Sequence, residues 1–321
     1  MKNLLSNNIK KEMRIFQKKY SQHINSDVPL LRNVIDFIIK NKGKQIRPQL
    51  LILLAKGYNS INEETYISCV LIETLHNATL LHDDVVDNSN FRRGVFSINS
   101  IWKNKIAVLV GDYLLAKGVI ISSENDKKEH LNILSNTVKT MIEGELIQLK
   151  KNNSIKITEK EYLKIIDKKT GSLFCACGKF IALNNNLDTE EENLLKIITN
   201  NIGIIFQIKD DLLDFEKSIK KSKVQFIDII NNQITLPIIY VLGNSKTKKK
   251  KILKNLLKKD NKNYEIIENI YKIIIEEGGI SYTENKISSL KEKTFILINK
   301  LSLNNKDEIK NIINLIINRK T

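Results

Sequence analysis

Apolar residues recur every three or four positions along most of the chain, and the pattern predicts one helix after another. In residues 1–24 the stripe Leu4, Leu5, Ile9, Met13 and Phe16 predicts a polar amphipathic helix, an arm that packs on the body or on a second subunit. Asn25-Ser26-Asp27 ahead of Pro29 predicts a helix start capped by Ser26 or Asp27, with the helix running from Val28 to about Lys40 and ending at Asn41-Lys42-Gly43. The next clear start is Asn62-Glu63-Glu64. That helix carries Val70, Leu71, Leu75 and Leu80 and ends in Asn88–Gly94. Trp102–Ser123 reads as a buried helix around Gly111-Asp112-Tyr113, and residues 127–150 as another. After a polar loop, Thr158 caps a helix with Glu161 three residues on, the capping-box spacing. Thr189-Glu190-Glu191-Glu192 opens a long helix that reaches Phe215. Residues 216–234 read as a charged loop holding Asp228, and a helix begins at Thr235-Leu236-Pro237. Amphipathic stretches follow over 246–263, 265–276, 280–302 and 306–319. No period-2 strand stands out, and only 12 glycines and 3 prolines interrupt 321 residues, so long helices are expected.

Polar residues inside this apolar pattern carry the chemistry. Leu80-Leu81-His82-Asp83-Asp84-Val85-Val86-Asp87 sets three carboxylates among apolar neighbours late in a helix. Asp83 and Asp87 are i and i+4 and share a face. Carboxylates packed this closely repel one another, are costly to desolvate, and lie at the helix end that disfavours negative charge. A hard cation with oxygen ligands, Mg²⁺ above all, answers that problem. One such cluster is equally a solvated helix end. A second copy decides the matter: Gln207-Ile208-Lys209-Asp210-Asp211-Leu212-Leu213-Asp214 repeats the D-D-x-x-D spacing 127 positions later. Should the two helices face across a cavity, six carboxylates hold a cluster of Mg²⁺ ions whose partner is a diphosphate. Gly43-Lys44-Gln45-Ile46-Arg47-Pro48 places a glycine and two cations at a break between helices. His76 stands two turns before Asp83, and Arg92-Arg93-Gly94 follows the first acidic stretch.

Charge changes the picture less than its size suggests. The net charge is +16, but only six of the 52 basic residues are arginine, the rest being lysines on solvated faces. With no nucleic-acid motif beside it, the charge does not argue for nucleic acid. The basic segment Lys246–Asn263 allows peripheral contact with an anionic membrane surface, the inner membrane being the one in reach of a cytoplasmic protein. Cys69, Cys175 and Cys177 form no C-x-x-C pair and read as small core residues in a reducing compartment. No apolar run of spanning length, signal peptide, P-loop, dinucleotide fingerprint, H-E-x-x-H or EF-hand loop is evident.

Taken together, GKQIRP at 43–48, HNATLLHDDVVD at 76–87, RRG at 92–94, VGDYLLAKG at 110–118, EGELIQL at 143–149, KTGSLF at 169–174, GIIFQIKDDLLDF at 203–215 and TLP at 235–237 resemble the trans-type polyprenyl diphosphate synthases, in particular the bacterial octaprenyl type. The resemblance spans residues 24–320 and implies a single all-α domain over 1–321: an isoprenoid-synthase-type helical barrel around a deep central cavity, usually as a homodimer. It implies that Asp83, Asp84 and Asp87, with Asp210, Asp211 and Asp214, bind two or three Mg²⁺ ions. Gly43, Lys44, Arg47, His76 and Arg93 would hold isopentenyl diphosphate. Arg92, Lys169 and Lys223 would contact the allylic diphosphate, farnesyl diphosphate in the first instance, with Thr170 and Gln207 near the reacting carbon. The expected product is a long all-trans chain of octaprenyl size, destined for a quinone. The small residues Ala78 and Thr79 below Asp83 leave its path open, and Val119, Ile120 or Ile121 would form the floor. A shorter-chain synthase and a weakly active prenyl-diphosphate-binding partner subunit are the alternatives. The departures fall in one place. Phe226 and Asn232 stand where the family pattern has glycine, and Gln233 where it has a lysine, so one cation is missing from the site.

Overall fold

The computed structural model describes residues 7–92, 94–124, 128–151, 154–216, 226–244, 248–259 and 262–319. Fifteen α-helices account for nearly all of them. They are α1 (Asn7–Ile24), α2 (Pro29–Lys40), α3 (Ile46–Gly57), α4 (Glu63–Val86), α5 (Ile98–Ser123), α6 (Lys128–Lys151), α7 (Glu159–Ile166) and α8 (Ser172–Asn184). The rest are α9 (Thr189–Glu216), α10 (Ile227–Ile230), α11 (Leu236–Asn244), α12 (Lys248–Leu257), α13 (Tyr264–Glu276), α14 (Gly279–Lys300) and α15 (Lys306–Ile317). A π-helical turn, Asp167–Gly171, joins α7 to α8.

Two capping boxes set helix starts as local sequence dictates. Asn62 accepts from Thr65 N while Thr65 returns the bond, and Thr158 and Glu161 do the same for α7. The start of α2 differs from expectation. Val28 is its extended N-cap with Pro29 behind it, and Ser26 Oγ instead accepts from Val28 N–H, so neither Ser26 nor Asp27 caps the helix. The absence of strands also needs a small correction. Phe91–Arg92 (β1) and Val95–Phe96 (β2) pair antiparallel, two residues each, too short to show an alternating pattern.

Contacts group the chain into two compact units. The first comprises Met1–Lys139, Leu173–Lys196 and Leu301–Ile309; the second comprises Thr140–Ser172, Ile197–Lys300 and Lys310–Thr321. In the first, α4 is buried along most of its length against α3, α5 and α1. Ile9, Met13, Phe16, Tyr20 and Ile24 form the buried stripe of α1, so the expected arm packs on the body of the chain; Leu4 and Leu5 lie outside the described residues. In the second, Phe215, Ile229, Ile238, Val241, Leu253 and Ile270 belong to one core shared by α9 to α13.

The α5 helix corrects two expectations. It begins at Ile98, is interrupted at Lys103 (φ 72°, ψ 158°), and is buried on one side only: Val110, Leu114 and Ile121 face the core, whereas Val108, Leu109, Val119 and Ile120 are exposed. Among the described residues it is also the one helix long and apolar enough to cross a membrane by length and composition, with 39% of the window buried in the chain. Asp112 and Lys117 break its apolar run without lowering the average much, which is why a search for uninterrupted runs passes over it.

Candidate active site

The first unit holds the first acidic motif at the end of α4. Asp83 is half-buried, Asp84 is buried and Asp87 is exposed. Asp87 caps the helix and its N–H still bonds Asp83 O at 2.8 Å, so the two acids stay one turn apart. Asp84 points elsewhere. The β1–β2 hairpin, turning at Gly94 (φ 81°), brings Arg92 back so that Nε donates to Asp84 Oδ1 and Oδ2 at 2.8 and 2.9 Å, and Nη2 lies 2.6 Å from Oδ1. This fork is the strong geometry for a carboxylate. The expected metal ligand Asp84 and the expected diphosphate ligand Arg92 are thus engaged with each other. Arg93 lies outside the described residues.

Upstream, Arg47 is buried at the start of α3, its guanidinium 4.6 Å above the Phe174 ring and Nη1 3.2 Å from His76 Nε2. Arginine only donates, so Nε2 of His76 is the acceptor in this contact. Gln45 takes a left-handed conformation (φ 49°) at the N-cap of α3 and accepts from Gln17 at 3.0 Å. Gly43 is half-buried and Lys44 exposed in the same bend. GKQIRP therefore forms a cationic corner beside His76. Gly111 has a packing role: a Cβ there would collide with the His82 ring, and α5 lies close on α4 at that point.

The second unit holds the second motif on α9. Thr170 Oγ1 donates to Gln207 Oε1 (2.7 Å), Gln207 Nε2 donates to Asp211 Oδ1 (2.8 Å), and Tyr162 OH donates to Asp211 Oδ2 (2.6 Å). Burial pushes the Asp211 carboxyl up to about 7; Tyr162 and Gln207 oppose the shift, and Asp210 and Asp214 add to it. Asp210 is exposed and pairs with Arg319 Nη2 at 2.9 Å. The Arg319 guanidinium stacks 4.0 Å from the Phe206 ring and donates to Phe206 O at 2.8 Å. Asp214 is buried, and its Oδ2 accepts from Asp228 N–H at 3.1 Å.

Lys169 and Thr170 sit in the π-helical turn, a feature that re-aims side chains. Gly144 makes the turn's position possible, since a Cβ there would stand 2.8 Å from Lys168 Cβ and 2.9 Å from Lys169 N. At that spacing Glu143 reaches Lys168 (2.7 Å) and Glu145 reaches Lys169 (2.5 Å). Lys169, Thr170, Gln207, Asp211, Gln233 and Lys151 line one cavity of about 110 Å³. Lys223 lies outside the described residues. Tyr162, Lys151 and Arg319 are absent from the sequence expectation. Of these only Arg319 carried a signal, as one of six arginines.

The family departures have a backbone consequence. Phe226 (φ 61°) and Asn232 (φ 59°) both occupy the left-handed region that suits glycine. Asn232 tolerates it and accepts a bond from Lys262 Nζ. Phe226 does not tolerate it locally, at a cost on the order of 1–2 kcal/mol. Burial of its ring offsets that cost: it is 4% exposed, with Tyr271 and Phe215 at 5.4 and 6.5 Å. Both Phe226→Gly and Phe226→Ala should therefore lower stability in urea unfolding. Glycine should be the milder by about 1 kcal/mol, because it alone releases the strain. Equal losses would mean that position 226 is not left-handed in solution.

The residues assigned to product length separate by exposure. Ala78 is fully buried on α4, and Thr79 is half-buried with Oγ1 donating to His76 O at 3.0 Å. Val119 and Ile120 are half exposed, so of the three expected floor residues only Ile121 is buried within this chain.

Among the described residues, no three acidic, histidine or cysteine side chains converge as a preformed metal cage. That does not weaken the fit to Mg²⁺, which is held by one or two carboxylates plus water and substrate phosphate. The chemistry of the donor set suits it: Asp210 and Asp214 add to the cost of ionising the buried Asp211, and a divalent cation removes that cost.

Comparison with known proteins bears on the family and the fold. Residues 28–274 match the model of the family described as polyprenyl synthetase. Octaprenyl diphosphate synthase of Escherichia coli (strain K12) is 36% identical over 158 residues, 49% of each protein, so the match spans about half that relative's length. Component 2 of heptaprenyl diphosphate synthase from Bacillus subtilis (strain 168) is 30% identical over 276 residues, 85% of this chain and 79% of that one. The crystal structure of a decaprenyl diphosphate synthase from Rhodobacter capsulatus superposes with a TM-score of 0.91 at 26% identity, covering 98% of both chains. With its helical fold, its two acidic motifs and this match over most of its length, the chain belongs to the polyprenyl synthetase family.

Proposed function

We propose that this chain is a Mg²⁺-dependent prenyltransferase that condenses isopentenyl diphosphate onto an allylic diphosphate, farnesyl diphosphate first among them, to build an all-trans chain of octaprenyl length for a quinone. The observation that carries this reading is the Thr170–Gln207–Asp211–Tyr162 network in a cavity shared with Lys169. It presents a cation-seeking carboxylate, a cation and a fixed amide together. Lys169, Arg92 and Lys223 receive the allylic diphosphate. Lys44, Arg47, His76 and Arg93, with the Gly43 backbone, receive isopentenyl diphosphate. Two or three bound Mg²⁺ ions supply charge neutralisation for the departing diphosphate. The chain's own groups orient the two substrates and exclude water, and none acts as a covalent nucleophile. Released pyrophosphate takes the proton. In this reading the exposed apolar residues of α5 meet a second copy in a cytoplasmic homodimer.

Asp211 sets a pH dependence. Its folded value, about 7, lies above that of an unfolded carboxyl. The metal-free protein therefore holds a proton there below about pH 7, and ionising this buried group costs stability as pH rises toward 7. Mg²⁺ with pyrophosphate should release close to one extra proton at pH 6 and almost none at pH 8.5. Calorimetry in buffers of different ionisation heat reads this, and equal release at both pH values would overturn it.

A second reading follows from Gln233 and from the name of the Bacillus relative, a component of a synthase: a weakly active prenyl-diphosphate-binding partner subunit. One assay separates the readings. Purified protein, Mg²⁺, farnesyl diphosphate and labelled isopentenyl diphosphate should yield a long product. A short product supports a farnesyl or geranylgeranyl type, and no Mg²⁺-dependent extension defeats the enzyme reading.

A further inference from the structure

We propose that Lys151 is a diphosphate-binding residue of this chain and supplies the cation that Gln233 lacks. This rests on the transferase reading above. Lys151 ends α6 and lines the same cavity as Lys169, Asp211 and Gln233. Its Nζ lies 2.7 Å from Glu161 Oε1. Glu161 is itself fixed, because Oε2 accepts from Thr158 N (2.9 Å) and Thr158 Oγ1 (3.0 Å) as the cap of α7. The next residue, Tyr162, donates to Asp211. The α7 helix thus ties the ammonium to the wall that carries the second acidic motif.

The pairing favours exchange over permanence. The Lys151 and Glu161 side chains are 34% and 36% exposed, and ion pairs this wet hold weakly. An ammonium has three donors and Glu161 engages one, leaving two for phosphate oxygens. Lys169 shows the same arrangement with Glu145 at 2.5 Å. The cavity is therefore lined by two lysines, each steadied by its own carboxylate, and by a neutral Gln233. Position 151 thus brings to this cavity a cation that position 233 does not. The competing explanation is structural: Lys151 offsets the α6 C-terminal dipole and holds Glu161.

Restoring the lysine elsewhere separates the two. Binding of farnesyl thiolodiphosphate, which resists ionisation, is measured calorimetrically with Mg²⁺ on the full chain. The variants are K151M, which keeps the aliphatic stem, K151R, Q233K and K151M/Q233K. K151M should weaken binding about tenfold, K151R by no more than about threefold, and K151M/Q233K should return to within about threefold of the parent. Thermal unfolding of each variant confirms folding. Binding by K151M within about twofold of the parent, or no recovery on adding Q233K, overturns the proposal. Should K151M not fold, K151R against K151Q gives the same contrast. A parent that binds no analogue and extends no substrate defeats the transferase reading and this one together. A parent that binds while K151M binds equally well defeats only the role of Lys151.

Discussion

Asp83→Ala and Asp210→Asn should each cut prenyl extension by at least about a thousandfold while leaving a folded protein. Asp83 is half-buried and Asp210 is exposed, so neither side chain carries much of the core. Asparagine is chosen at 210 because Arg319, with a side chain only 5% exposed, bonds Asp210 Oδ1. Alanine would leave that buried guanidinium short of an acceptor and confuse lost folding with lost function. Each acid is paired one turn along its helix, Asp83 with Asp87 and Asp210 with Asp214. Losing one of a pair removes a carboxylate where Mg²⁺ has few protein ligands to spare. Excess chelator should reproduce the loss in the parent, and added Mg²⁺ should reverse it there but not in the variants. Extension by either variant within about tenfold of the parent would remove that acid from the metal site.

Thr79→Phe and Ala78→Phe should both shorten the long product proposed above toward the farnesyl–geranylgeranyl range, at different cost. On α4 these positions lie four and five residues before Asp83, roughly 6 and 7.5 Å along the axis at about 1.5 Å per residue. An aromatic ring at that depth blocks a chain growing down the helix. Ala78 has no free surface, so a ring there overpacks the core, at a cost on the order of 1–3 kcal/mol. Thr79 is half-buried and gives up only one bond to His76 O. Thr79→Phe should therefore shorten the product with little change in melting temperature, whereas Ala78→Phe should shorten it and lower the melting temperature by several degrees. Chromatography of the dephosphorylated products reads the length. A folded Thr79→Phe protein that still makes the parental product would show that the path does not run beside this turn.

The site was legible in unequal parts. The two acidic motifs, the Gly144 segment and the cationic corner at Arg47 stood out because each is a local string of improbable residues. The capping boxes at Asn62 and Thr158 were legible for the same reason, since their bonds span three residues. The cap of α2 is not legible locally, because Ser26 Oγ accepts from Val28 N–H instead of capping the helix. The exposed half of α5 is indistinguishable from core in the sequence, because apolar content does not say which face meets a neighbour.

Sequence alone determined the helices, their order and the residue types of the chemistry, because these depend on interactions within about one helical turn. Only the tertiary structure decided how those residues are used. Asp84 became Arg92's partner because a hairpin returns eight residues later. Asp211 acquired a raised carboxyl because the fold buries it beside Asp210 and Asp214, and the bonds from Tyr162 and Gln207 only partly offset that. Phe226 holds a glycine conformation because Tyr271 and Phe215 bury its ring. Lys151 reached the cavity because α6 ends there. Such contacts join residues far apart in the chain. Periodicity and local spacing do not encode them, and burial then sets which charges are paired and which are poised.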